Sequence, residues 1–122
     1  QALARIALSE EASLAAKDDA CCALKDLATE ESNRPLLATF SILEALVVNT
    51  VAAGRLNGIR QGARRENAVK AMIYLATVPS NREKMVNHGN LLQSLIQFAA
   101  TAVGSETKDQ VKKVILMLVS EL

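Results

Sequence analysis

Residues Ala20 to Arg34 read ACCALKDLATEESNR, and forty-eight positions later residues Ala68 to Arg82 read AVKAMIYLATVPSNR. From Lys17/Arg65 through Arg34/Arg82, 8 of 18 paired positions are identical: Ala20/Ala68, Ala23/Ala71, Leu27/Leu75, Ala28/Ala76, Thr29/Thr77, Ser32/Ser80, Asn33/Asn81 and Arg34/Arg82. Self-similarity at a period of roughly 20–50 residues marks stacked helical units, each needing a neighbour to bury its apolar face. The stretch therefore implies an all-α repetitive architecture whose job is to present a surface.

The rest of the chain fits that reading. Its 122 residues make one domain at most, half of them apolar, with three aromatics (Phe40, Tyr74, Phe98) and two prolines, a balance suited to alanine- and leucine-rich helix packing. The net charge of +1 gives no general pull toward nucleic acid or acidic membranes. Charge is spread unevenly: residues 1–61 carry six basic and eight acidic groups, residues 62–122 eight basic and five acidic. No apolar run reaches the roughly 18 residues of a membrane span and no basic-then-apolar leader is present, so a soluble cytoplasmic or nuclear protein with no membrane partner is expected. Cys21 and Cys22 are adjacent and have no others to pair with, so both are expected reduced, one packed inside and one facing out.

Apolar spacing and punctuation divide the chain into short helices. Helices are expected over Ala2–Leu8 and from about Ala16 to Thr29, separated by a turn. Ser32 and Asn33 then read as capping residues for a short helix that starts near Arg34-Pro35 and ends near Ser41. The next runs from Ile42 to Ala53 and stops at Gly54. The second unit repeats this grammar: a long helix Glu66–Thr77, a break at Val78-Pro79-Ser80, and a short helix Arg82–His88 capped by Asn81 and ended by a left-handed Gly89. Asn90–Ala102 follows, ended by Gly104, and then Lys108–Leu122, which aligns with the preceding long helix at an offset of forty-three.

Two passages carry a resemblance to a known family. Asn81-Arg82-Glu83-Lys84-Met85-Val86-Asn87-His88-Gly89-Asn90-Leu91-Leu92-Gln93-Ser94-Leu95 resembles the short-helix, glycine, middle-helix passage of armadillo repeats, and Asn67-Ala68-Val69-Lys70-Ala71-Met72-Ile73-Tyr74-Leu75-Ala76 is similar to their third helix. The resemblance covers nearly the whole chain and departs most where Phe40-Ser41 stands in the place of Gly89. HEAT repeats are the nearest rival, disfavoured because their units have two helices. The resemblance implies a right-handed α-solenoid of three-helix repeats: residues 1–29 end a partial repeat, 33–77 form a full repeat, and 81–122 form a second. Because stacked units usually need about three members plus polar caps, a piece of a longer solenoid, or capping by a partner or a second copy through exposed repeat ends, is expected.

In that family the third helices line a concave groove for extended peptides. Carried over by alignment, the groove positions are Asp18, Cys22 and Asp26, then Glu66, Lys70 and Tyr74, then Asp109, Lys113 and Met117, each trio on one helix face by its i, i+4 spacing. The tryptophan positions of nuclear-import adaptors are here Cys22, Lys70 and Lys113, and their asparagine positions Asp26, Tyr74 and Met117, which disfavours an importin-like reader. Lysine at aligned positions 70 and 113, with Tyr74 one turn on, suits an acidic partner segment with an apolar anchor. Set against this, charged groups on a helix face are most often a solvated face.

The connection RLNGIRQGARR, Arg55 to Arg65, holds Arg55, Arg60, Arg64 and Arg65 with no acid. It reads as a mobile basic loop attractive to phosphate or carboxylate. With no stacking platform, a dedicated nucleic-acid reader is not expected. Nor is an enzyme: His88 is the single histidine and reads as a ring near a helix's negative end, no nucleophile constellation is legible, and no metal or cofactor is implied. The expected function is a non-catalytic interaction module presenting a groove to a peptide or helix. The alternatives are a recruiting or regulatory segment of a larger enzyme such as a ubiquitin ligase, or a structural subunit of a large assembly.

Overall fold

The computed structural model describes residues 2–9, 13–52, 59–101 and 106–122. Among them lie eight α-helices: α1 (Ala2–Leu8), α2 (Leu14–Thr29), α3 (Arg34–Leu37), α4 (Phe40–Ala52), α5 (Ile59–Leu75), α6 (Pro79–Asn87), α7 (Leu91–Thr101) and α8 (Glu106–Val119), with a 3₁₀ turn at Glu31–Asn33 before α3. No strand occurs among the described residues. None of the described helices is long and apolar enough to cross a membrane.

The elements form because local signals and apolar spacing agree. Ser13 opens α2 with its hydroxyl accepting from Ala16 N at 3.1 Å, a side-chain cap on an otherwise orphan donor. Ala20, Cys21, Leu24 and Ala28 then fall on one buried stripe of α2. Leu91, Leu95 and Phe98 make the same kind of stripe on α7, and Val111, Val114 and Leu118 on α8. α4 and α5 are more deeply enclosed: Ile42, Leu43, Ala45, Leu46 and Val47 are buried on α4, and Ala68, Val69, Ala71, Met72 and Leu75 on α5. All these residues belong to one core cluster. Each fully buried Leu, Val or Met in it contributes about 1.5–3 kcal/mol relative to exposure.

Packing follows the repeat. α5 lies against both α2 and α8, while α4 lies against both α1 and α7, so elements at equivalent places in successive units sit side by side in two rows. The rows are tied together by α1 on α2, α4 on α5 and α7 on α8. The short helix α3 touches α2 and α5, and α6 touches α7 and α8.

Several boundaries differ from the sequence expectation. α5 starts at Ile59, well before Glu66, so Arg60, Arg64 and Arg65 belong to a helix and not to a basic loop; Arg55 and Gly54 lie outside the described residues. The helix continues because arginine is a good helix former and because Arg64 and Arg65 both find partners on neighbouring helices. α6 starts at Pro79 with Val78 at its N-cap, leaving Asn81 inside the helix. Asn33 does stand at the N-cap position of α3 but makes no capping bond there. His88, with φ −78° and ψ 121°, terminates α6. Gly89, expected left-handed, does not have a left-handed φ, and a Cβ there would meet open space.

Candidate binding face on the long helices

The ends of α2 and α5 are held by the same set of bonds. Thr29 Oγ1 donates to Asp26 O and Thr77 Oγ1 to Tyr74 O, each at 2.6 Å. Asn33 Nδ2 donates to Leu27 O at 3.1 Å, and Asn81 Nδ2 to Leu75 O at 3.0 Å. Arg34 Nε donates to Ala28 O at 2.8 Å, and Arg82 Nε to Ala76 O at 2.7 Å. The repeated Thr, Asn and Arg thus do one job: they satisfy the orphan carbonyls at the end of a long helix. The Asn and Arg reach back from the start of the next short helix, bringing a cation to the negative end of the macrodipole.

These two sites also touch each other. Arg34 Nη1 donates to Thr77 Oγ1 at 3.0 Å, and Asn81 Nδ2 donates to Arg34 O at 2.9 Å. The Arg34 guanidinium lies 5.1 Å from the centre of the Tyr74 ring, within cation–π range.

Polar staples join the long helices further along. Arg64, 3% exposed, places Nη1 3.7 Å from Asp18 Oδ1, linking α5 to α2. Thr107 Oγ1 donates to Glu66 Oε1 at 2.6 Å, linking α8 to α5. Asp18 aligns with Glu66, and Arg64 with Thr107, so the two staples occupy equivalent places with different chemistry. Cys21, wholly buried beside this group, has its thiol pushed up from 9.0 to about 12, chiefly by burial; nearby Arg64 opposes the shift, and Asp18 and Cys22 add to it.

Arg65 is anchored as firmly. Nε donates to Thr50 O at 3.1 Å, Nη2 donates to Thr101 Oγ1, and the guanidinium lies 4.8 Å from the Phe98 ring centre. Burial lowers its pKa. Neither Arg64 nor Arg65 is a free cation awaiting a ligand.

The groove candidates are distributed as follows. On α5, Ala63, Glu66, Asn67, Lys70, Ile73 and Tyr74 retain exposure, and their i, i+3 and i+4 spacing places them on one face, with partly exposed Arg65 on the other. Glu66 on that face accepts from Thr107, and Tyr74 carries Arg34 over its ring, so Lys70 is its least committed charged group. On α2, Cys22 Sγ lies 3.8 Å from Asp26 Oδ2, and exposed Asp26 also pairs with Lys25 at 3.3 Å, an exposed contact worth little. On α8, Asp109 and Lys113 are exposed and Met117 packs partly against the core.

A second cleft, of about 460 Å³, opens elsewhere between the short and middle helices and is lined by Ala38, Phe40, Leu43, Lys84, Asn87 and His88. His88 is buried beneath Phe40, ring centres 4.9 Å apart. Its Nε2 lies 3.2 Å from Glu44 Oε1 without hydrogen-bond alignment. At the forty-eight-residue offset Phe40 and His88 are equivalent positions, which explains their contact: corresponding places in adjacent units meet. That offset was the available signal for the contact.

No group of three or more His, Cys, Asp or Glu residues able to hold a metal occurs among the described residues. Comparison of the chain with protein-family models, curated proteins and solved structures finds no match.

Proposed function

We propose that the chain is part of a right-handed, armadillo-type α-solenoid and acts as a non-catalytic protein-interaction module, in which α2, α5 and α8 offer a continuous wall to an extended peptide or helix of a partner. The observation that carries this reading is the accessible face of α5 bearing Glu66, Lys70 and Tyr74, on a helix that packs against both α2 and α8. A surface of that kind runs across units and suits an elongated ligand better than a compact one. Lys70 on α5 and Lys113 on α8 place two aligned cations on a wall that also carries Asp26, Glu66 and Asp109, and Met117 and the edge of Tyr74 give it apolar contact, so the ligand class is a segment that sets acidic residues against the two lysines beside an apolar anchor.

The test is fluorescence anisotropy with labelled peptides of about ten residues that alternate Glu with Leu or Phe, together with their Lys-for-Glu counterparts. Saturable binding of the acidic set is expected, weakened about tenfold or more by the combined Lys70→Glu and Lys113→Glu changes and by added salt. Equal affinity of the wild-type and charge-reversed chains would remove this reading.

A further inference from the structure

The two short helices differ in length, and the difference opens a cleft. α3 closes after four residues at Leu37, where Ala38 leaves the helical region with φ −84° and ψ 54°, whereas α6 runs for nine residues to Asn87. The last turn of α6 therefore faces the bend at Ala38 and the start of α4 instead of a second helix. A cleft of about 460 Å³ remains between them, lined by Ala38, Phe40, Leu43, Lys84, Asn87 and His88. Its volume is that of a small-ligand site, and both of its walls are built from residues well inside the chain.

The chemistry of the cleft is divided. Ala38 and Leu43 are 4% and 2% exposed and form an apolar floor. The Phe40 ring, 71% exposed, stands over the buried ring of His88 and makes one wall. Lys84 and Asn87 are exposed, and their i, i+3 spacing puts both on one face of α6. Among the described residues Lys84 pairs with no acid. Glu44 lies 3.2 Å from His88 Nε2 and is not part of the lining, so Lys84 is the one permanent charge in the cleft among the described residues.

An ammonium and an amide at the rim of an apolar cleft match a carboxylate held next to an apolar side chain. In a polypeptide, a backbone carboxylate and a side chain leave the same Cα only at the last residue. A C-terminal residue thus reaches rim and floor together, whereas an internal acid needs a second residue for the floor and a chain that continues past both walls.

We propose that the cleft between α6 and the α3–α4 bend binds the C-terminus of a partner polypeptide that ends in a large apolar residue. The terminal carboxylate accepts from Lys84 Nζ and Asn87 Nδ2, and the last side chain lies on Ala38 and Leu43 against the Phe40 ring. The site shares no residue with the wall of α2, α5 and α8, and it stands whether or not that wall binds peptides.

The test is amide NMR titration of the intact chain with acetyl-Ser-Gly-Ser-Leu-Phe bearing a free carboxylate, and with the same peptide as its C-terminal amide. Saturable shifts are expected at Ala38, Leu43, Lys84 and Asn87, with the amide weaker by about fivefold or more. Lys84→Gln, at an exposed position that leaves the melting temperature unchanged, should weaken the free acid about fivefold and leave the amide alone, while Phe40→Ala should weaken both. Equal affinity of acid and amide overturns the inference, as does a Lys84→Gln chain that binds the acid as tightly as wild type. Shifts confined to Lys70, Tyr74 and Lys113 report the wall and an empty cleft, and overturn it too. So does tighter binding of the internal counterpart acetyl-Ser-Gly-Glu-Phe-Ser-Gly amide, and so does silence of the free acid at millimolar concentration.

Discussion

Asn81 Nδ2 donates to the backbone carbonyl of Arg34 across forty-seven residues of sequence at 2.9 Å, while also donating to Leu75 O at 3.0 Å. One amide thus closes the end of α5, the long helix before it, and ties that end to the opening of the short helix α3. Asn33, its counterpart, has only the equivalent bond back to the end of α2 and is partly exposed. Asn81→Ala therefore removes two donated bonds around a buried amide and should destabilise by about 2–3 kcal/mol, while Asn33→Ala, which removes one, costs about 1 kcal/mol. Urea unfolding of the two variants measures the difference; equal losses would show that the cross-unit bond is energetically silent.

Arg64 is a buried cation facing partly exposed Asp18 at 3.7 Å, and its Nε has no hydrogen-bond partner among the described residues. Such a group occupies volume more than it gains Coulomb energy. Arg64→Ala should destabilise by about 3 kcal/mol through the void it leaves, whereas Arg64→Met, which fills that space, should stay within about 1.5 kcal/mol of wild type. Thermal melts of both variants decide it, and a Met variant as damaged as the Ala variant would contradict this account.

Arg34 at the start of α3 and Thr77 just past the end of α5 are joined by a bond of 3.0 Å, with Arg34 also over Tyr74. A double-mutant cycle on Arg34→Ala and Thr77→Val should give a coupling of about 0.5–1.5 kcal/mol. Arg34→Lys should not restore stability, because an ammonium lacks the planar fork that reaches Ala28 O, Thr29 O and Thr77 Oγ1 together.

Cys21 makes stability depend on alkaline pH. Its thiol is pushed up to about 12 in the folded chain from 9.0. Between those values the unfolded chain gives up a proton that the folded chain keeps. The stabilisation is therefore complete below about pH 9 and is lost as pH rises toward 12, with a slope of at most about 1.4 kcal/mol per pH unit. Cys21→Val, which copies the aligned Val69, should flatten that slope without harming the neutral-pH melt. An unchanged alkaline slope in the variant would assign the effect to other groups.

The repetition, the all-helical class and most helix spans were legible because identical residues recur at one offset and apolar residues recur at helical spacing. The roles of the repeated polar residues were less so. Asn33 and Asn81, just before or just after a proline, match the composition of a helix start, and nothing local reveals that their side chains turn back to the helix already finished. Arg64 and Arg65 sit in a stretch rich in arginine and glycine that reads as a loop when Asp18, Thr50 and Phe98 are out of view. Their partners come from α2, α4 and α7, which only the packed units bring near. Of the wall, the i, i+4 trio on α5 follows from its spacing, but the engagement of Glu66 by Thr107 and of Tyr74 by Arg34 arises between elements.

α5 touches α2, α4 and α8 at once, so no neighbour can leave without stripping a flank of the same rod. Melting should accordingly begin nowhere in isolation: the slowest-exchanging backbone amides are expected at Ala68–Leu75, released only with the whole molecule, and a tug on either end of the stack is felt at the other through α5 and the α4 that backs it.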